Sequence, residues 1–317
     1  MQREGSPWTG LWAVAAKEAA DHLTSARMKI VLGLVILTAI GAAYGSAGQL
    51  KETVGSDPFL FLRLFTTARE PLPSFAGFLG FLLPLVAITL AFDAINGEYQ
   101  RRTMSRILSQ PIYRDALLAG KFLGGLVVLT ICVITLWLLV TGVGILSLGL
   151  PPSGEEVARG IAFLVVSVAY SAIWLGIALL FSTWFRSTAT AALAALALWL
   201  LFTVFWPMLA PLVAGALAPV DPLDPMTALT QYNLQHDLLR LSPTTLYGEM
   251  LTGILHPSTR ALGLLFRSQM EGALMGAPLP LDQSLLIIWP DFSGLVAGIV
   301  LVFTLAYVSF QRQEVRA

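Results

Sequence analysis

The 317 residues are 56% hydrophobic and only 12% charged, with a mean hydropathy of +0.76. That balance excludes an ordinary soluble domain, and a formal net charge of zero gives no reason to expect nucleic acid as a partner. The single cysteine, Cys132 within an apolar run, excludes an intrachain disulfide and a cysteine-based metal cluster, and reads as a small buried hydrophobe.

Residues 8 to about 25 read as an amphipathic helix, with Trp8, Leu11, Trp12, Ala15, Ala19 and Leu23 on one face and Lys17, Asp21 and Thr24 opposite. Trp8 and Trp12 favour the headgroup layer as interfacial anchors, so this helix is expected to lie flat on membrane lipid. Met1 to Arg27 is mixed and charged, without the pattern of a cleavable signal, so the apolar run that follows is expected to remain an anchor. The first span runs from about Lys29 to Ala47 and carries Gly41-x-x-x-Gly45, a spacing that permits close helix approach. A mixed loop with Pro58, Pro71 and Pro73 leads to the second span, about Phe75 to Ile95.

The densest basic segment of the chain follows, Ala91 to Lys121, with long apolar runs on both sides. Gly97 breaks the helical register, a short polar helix is expected over Glu98 to about Ser109, and Gln110-Pro111 stops it. Within it Met104, Ile107 and Leu108 share one face, and Arg102 and Arg106 stand one turn apart on another. Glu98 precedes Arg102 by four residues, the favourable order for an intrahelical ion pair. Asp115 is placed to cap the third span, about Ala116 to Leu148, which exceeds the ~20 residues a bilayer needs and must tilt or project. Asp93 and Lys121 are the polar residues at the membrane boundary. Asp93 either caps or pairs locally with Arg101 or Lys121, or serves a proton relay, and the structural role is the one adopted.

Pro151-Pro152-Ser-Gly-Glu-Glu is a tight turn before the fourth span, about Ile161 to Phe181, and a hairpin follows at Trp184 to Ser187. From Ser187 to Val220 the chain is uncharged, yet Trp206-Pro207 and Pro211 oppose one straight helix. A span ending near Trp206 and then a re-entrant or interfacial stretch is expected. Residues 217–290 form a helical region outside the spans, with amphipathic pieces at Leu234 to Leu241, Thr245 to Leu255 and Arg260 to Leu274. The last span runs from about Asp291 to Phe310. The sum is an all-α polytopic membrane protein, a single transmembrane domain of six helices. Of the 19 Lys and Arg, 12 fall in 1–29, 93–121, 182–190 and 311–317, which by the positive-inside rule makes both termini and the basic segment cytoplasmic.

The basic segment resembles the signature of type-2 ABC exporter permeases. It has an Asp near the end of the second span (Asp93), an acidic residue (Glu98), a Thr (Thr103), an apolar turn (Ile107-Leu108), then Pro111-Ile112-Tyr113-Arg114 and Lys121 inside the third span. Arg102 stands where that family usually has Gly, and Tyr113 where a small hydroxyl residue is common. More loosely, and including Leu241 to Tyr247, the chain is similar to the permeases of the nitrous-oxide-reductase maturation system. The resemblance implies an N-terminal elbow helix, a coupling segment (98–114), a second permease copy and a cytoplasmic ABC ATPase subunit. Glu98, Arg101, Arg102, Thr103, Arg106, Pro111 and Arg114 would then be the ATPase-coupling residues.

No cofactor is expected. The chain has no Gly-x-x-x-x-Gly-Lys-Ser/Thr, since Gly120-Lys121 lacks the preceding Gly, so ATP hydrolysis would belong to the separate partner. His-Glu-x-x-His and Gly-x-Ser-x-Gly are also missing, and His22, His236 and His256 all lie outside the expected spans. Met226, Met250, Met270 and Met275 are soft donors, but their spacing follows no ligand pattern and Met is more often gap filler. The expected function is the permease subunit of an ATP-driven exporter. The alternatives are a non-transporting scaffold or mechanotransmitter driven by the same ATPase, and an ATP-independent secondary transporter.

Overall fold

A computed structural model describes residues 8–50, 59–68, 73–110, 112–259, 262 and 278–313, and the described residues are helices and short connections. Helix α1 (Leu11–Thr24) leads into α2 (Ala26–Leu50) through Ser25, whose hydroxyl donates to the His22 carbonyl and accepts from Met28 N at 3.2 Å. A short α3 (Leu60–Thr66) and α4 (Phe75–Ala91) follow, then two small helices, α5 (Asn96–Gln100) and α6 (Met104–Ser109). The long pair α7 (Arg114–Leu148) and α8 (Gly154–Trp184) comes next. Helix α9 (Thr188–Leu200) runs through a π-turn (Leu201–Phe205) into α10 (Trp206–Leu217). The chain returns as α11 (Pro225–Leu239) and α12 (Pro243–Leu255) and closes with α13 (Leu281–Arg312).

Among the described residues six helical stretches are long and apolar enough to cross a membrane: Ala26–Gly48, Phe75–Gln100, Arg114–Leu148, Gly154–Trp184, Thr188–Leu217 and Leu281–Arg312. Helix α8 is the hub. It packs on α4, α7, α9, α12 and α13 and buries Phe163, Tyr170 and Trp174 at the centre of the core. The local signals that delimit this pair are clear in the chain. Gly149, at φ +73°, ends α7 by donating to the Ile145 carbonyl, the left-handed terminus that glycine permits without strain. Ser153 and Glu156 form a reciprocal capping box at the start of α8, and Glu156 also accepts from Phe61 N at 2.8 Å, fastening α3.

The elbow helix rests one side on α7 and leaves the expected Trp anchors free of the bundle. Val14, Ala15 and Glu18 face α7, while Trp8 and Trp12 point outward, 59% and 74% exposed. The close approach is allowed by Gly120 and Gly124 of α7: a Cβ at Gly120 would meet Val14 at 2.7 Å, and one at Gly124 would meet Glu18 Cβ at 2.8 Å. This glycine pair makes the contact, whereas nothing approaches Gly41.

The helical course does not end at Trp206. The π-turn absorbs Pro207, which lacks an N–H, and carries the helix on to Leu217. Helix α11 then returns along α10, with Trp206 Nε1 donating to the Leu238 carbonyl at 2.7 Å. Helix α12 inserts among α4, α8 and α13 and buries Tyr247, Met250, Leu251 and Ile254. Its first turn meets the π-turn: Ser242 Oγ donates to the Phe202 carbonyl at 3.2 Å, and Thr203 and Thr244 hydroxyls lie 3.3 Å apart. Tyr247 stacks on Tyr170 with ring centroids 4.2 Å apart, and its hydroxyl bonds Ser167 at 2.8 Å. The end of the bundle near α12's C-terminus is clamped by the fully buried Arg159, which donates to the carbonyls of Ile254 and Leu279, to Ser284 Oγ and to Glu155. The amphipathic piece expected at 260–274 lies outside the described residues apart from Leu262.

Candidate functional site

At the opposite, basic end, the segment between α4 and α7 is built from two short helices rather than one. The chain leaves helical geometry at Arg101 to Thr103, and Arg102 takes φ +56°. A β-carbon in the left-handed region costs about 1–2 kcal/mol, which explains why a glycine suits this position in the resembled signature. The break removes the expected Glu98–Arg102 pair. Glu98 instead accepts the Thr103 hydroxyl, while Thr103 N donates to the Glu98 carbonyl at 3.0 Å.

Glu98 also belongs to a buried chain of charges. Lys121 of α7, its side chain 3% exposed, lies 3.5 Å from Glu98 Oε1 and 2.8 Å from Glu18 Oε1 of the elbow helix. Lys17 approaches Glu18 at 3.4 Å and pairs with Asp21 at 2.8 Å. Burial pushes the Glu18 carboxyl up, but the Lys121 charge and hydrogen bond outweigh it and hold the group below the usual carboxylate range. Burial pushes the nearby His22 imidazole down, despite the charge of Glu18. Asp93 pairs with Arg27 at 2.9 Å, and neither Arg101 nor Lys121 is its partner; the Arg27 guanidinium also lies 5.3 Å from the centre of the Phe92 ring. These groups line a charged cavity of about 340 Å³ between α1, α4 and α7.

A second fastening went unread in the sequence. Asn96, buried at the start of α5, donates through Nδ2 to the carbonyls of Phe185 and Ser187 at 3.2 and 3.3 Å. Ser182 Oγ accepts from Ile95 N at 2.9 Å and bonds Asn96 Oδ1 at 3.1 Å. Gln100 Nε2 adds a bond to the Arg186 carbonyl at 3.1 Å. The signal for this staple is a polar Asn in a run read only as a helix end; its partners lie far along the chain.

The remaining predicted residues divide in two. Arg101, Arg102 and Arg106 have exposed side chains, while Met104 and Ile107 face inward. Arg114 is committed to the fold: it donates to the carbonyls of Gln311 and Gln313 at 3.3 and 3.0 Å and so caps the C-terminus of α13. Asp115 does not cap α7, since Tyr113 holds that position; Asp115 accepts from Gln311 Nε2. Pro111 and the Leu108 side chain lie outside the described residues. Among the described residues no group of three or more His, Cys, Asp or Glu is placed to hold a metal.

An all-helical bundle of six apolar helices, led by an elbow helix and interrupted by a basic helix–turn–helix between its second and third spans, defines an integral membrane subunit of the transporter class. The chain belongs to the ABC-2 family of transporter proteins, whose sequence pattern matches residues 12–315. It is 27% identical over 312 residues to the probable ABC transporter permease protein NosY of Stutzerimonas stutzeri, covering 96% of this chain and 98% of that one. A shorter match, 35% identical over 114 residues, is to the probable ABC transporter permease protein NosY of Pseudomonas aeruginosa, covering 36% of this chain and 38% of the relative.

Proposed function

We propose that this protein is the permease of an ATP-driven exporter, with a separate ABC ATPase subunit docked on its basic end and two permease copies enclosing the path. The observation that carries this reading is the two-sided build of residues 96–109. One side is fastened to the elbow helix, to α7 and to the α8–α9 hairpin through Glu98, Lys121, Glu18, Asn96 and Ser182. The other side leaves Arg101, Arg102 and Arg106 exposed. A cationic surface held rigidly against three elements suits an acidic partner and passes its displacement on. The positive-inside distribution orients this end, and both chain termini, toward the cytoplasm. ATP binding would close the ATPase dimer and push on α5 and α6. The buried charges then carry α1, α4 and α7 along, changing access between the two permease copies.

The test is co-purification with the ATPase from native membranes. Arg102→Glu with Arg106→Glu places like charges across the contact, and recovery of the ATPase should fall at least about tenfold while membrane insertion is unchanged. Undiminished recovery in the double variant would sink the docking role. A second reading, transmission to a partner beyond the membrane, draws support from α11, none of whose described side chains is buried, and from Leu223, 92% exposed in the turn before it. Vesicle uptake without such a partner would separate export from transmission.

A further inference from the structure

The turn between α11 and α12 reaches into the bundle and meets a second cluster of charges, unrelated to the basic end. Asp291 of α13, directly after Pro290 and 1% exposed, lies 3.3 Å from Arg240 Nη2 through Oδ1. The same guanidinium holds Glu249 Oε2 of α12 at 2.9 Å through both Nε and Nη2. His236 Nδ1 of α11 stands 3.6 Å from Glu249 Oε1. The Asp291 and Glu249 carboxyl groups thus meet on one guanidinium, yet Asp291 Oδ2 is buried with no partner.

The other charges that face this point have been assigned elsewhere or are few. Asp237 lies beside His236 on α11. Helix α8 contributes Glu155, Glu156 and Arg159 only near its start, where Arg159 meets α13 at Ser284, about two turns before Asp291. Burial and the Arg240 charge hold the His236 imidazole below its ordinary range, so near neutrality it adds no positive charge. Two carboxylates share one guanidinium, and one negative charge is uncompensated in a buried, mostly apolar setting. Two carboxyl groups held on one guanidinium relieve that repulsion by keeping a proton, which also gives the orphan oxygen a hydrogen.

We propose that Asp291 and Glu249 form a proton-binding site in which one shared proton fastens the α11–α12 turn to the last span. With the proton bound, the cluster is neutral and the inserted helices are held to α13 by both carboxyl groups. With it lost, Asp291 and Glu249 repel across the contact, and the turn is loosened from α13. The site lies where α12 fills the space among α4, α8 and α13, so its occupancy bears on whether that space stays closed.

Thermal unfolding of the full chain in lipid nanodiscs, from about pH 4.5 to about pH 8.5, tests this against Asp291→Asn, which mimics the protonated carboxyl. A proton bound more tightly in the folded state contributes stability at low pH that is lost as pH rises through the site's own titration. The wild type should therefore lose its folded-to-unfolded ratio relative to Asp291→Asn by up to about tenfold per pH unit as pH rises toward the site's own titration, and the difference should level off above it. The His236 imidazole feels the Asp291 charge, so both proteins carry His236→Gln, and the remaining histidines are common to both. A wild-type-minus-variant difference that does not change with pH overturns the proposal. Should Asp291→Asn fail to fold, Glu249→Gln and the infrared band of a protonated carboxyl decide. That band must be present in the wild type at about pH 5.5, where ordinary carboxyl groups are ionised, vanish at high pH and be missing from Glu249→Gln; a wild type without it also overturns the site.

Discussion

The two buried charge clusters of this protein sit at different places in the bundle and are built on different accounting. At the basic end, Lys17, Glu18, Lys121 and Glu98 alternate in sign, the Thr103 hydroxyl serves Glu98, and each buried polar atom of Glu18, Glu98 and Lys121 has a partner. At the α11–α12 turn, one arginine serves two carboxylates and an oxygen of Asp291 is left over. A matched cluster is rigid, because any change of protonation leaves a buried charge alone. A cluster with one charge too many has a second protonation state close at hand. Rigidity suits a segment that must pass on a push, and responsiveness suits a contact that opens.

Removing the cation from the matched cluster should have the largest effect. Lys121→Met leaves Glu18 and Glu98 facing each other, and a loss of about 3–5 kcal/mol is expected, read as a large fall in Tm and in folded yield. Adding Glu18→Gln and Glu98→Gln to Lys121→Met should recover most of it. If the single variant is as stable as the wild type, the seat is not the rigid element described. A smaller effect comes from the groove that brings Glu18 to Lys121. Gly124→Leu drives a side chain into Glu18 Cβ and the Ala15 carbonyl, and should cost about 1–3 kcal/mol while opening α1 to proteolysis. Unaltered protection of α1 would mean that the helix is held by lipid instead. The smallest and opposite effect is expected at Arg102. Arg102→Gly relieves a left-handed backbone and should stabilise the segment by about 1 kcal/mol, while removing one of three exposed cations. A fall in Tm there would show that the side chain contributes more to the fold than its backbone costs.

Hydropathy made the six spans legible, and the clustering of Arg made the basic segment stand out. The pairings within it were not legible, for a physical reason. Reading along the chain offers Arg101, Arg102 and Lys121 as partners for nearby acids, but Asp93 finds Arg27 and Lys121 finds Glu18, both brought close by the packing of α1 and α2 on the bundle. The glycine pair that permits this packing, Gly120 and Gly124, looks in the sequence like any small-residue spacing, no different from Gly41 and Gly45. Helix α12 escaped as an inserted element because its polar residues, Ser242, Thr244 and Tyr247, resemble a surface helix until their partners Phe202, Thr203 and Ser167 are seen.

The π-turn at Leu201–Phe205 also sets a rotational phase. An extra residue in one turn rotates everything beyond it by about 100° about the helix axis. Up to that point the small residues Ala191 and Ala195 face the bundle through α8 and α4; beyond it Ala210 and Ala214 are the buried pair, and α10 packs on α11. On a uniform α-helix the step from Ala191 to Ala210 would leave the two pairs about 100° apart, and the π-turn brings all four alanines onto one stripe that meets α8 and α4 before the turn and α11 beyond it. Straightening the π-turn into α-helix at unchanged length would turn the upper half about 100° away from α11, whereas loss of one residue, such as the exposed Val204, removes the π-turn and keeps the two halves in phase. The fifth span therefore depends on its residue count as well as on its residue types, and it absorbs the loss of one residue at this turn where a loss elsewhere in the helix would rotate all that follows.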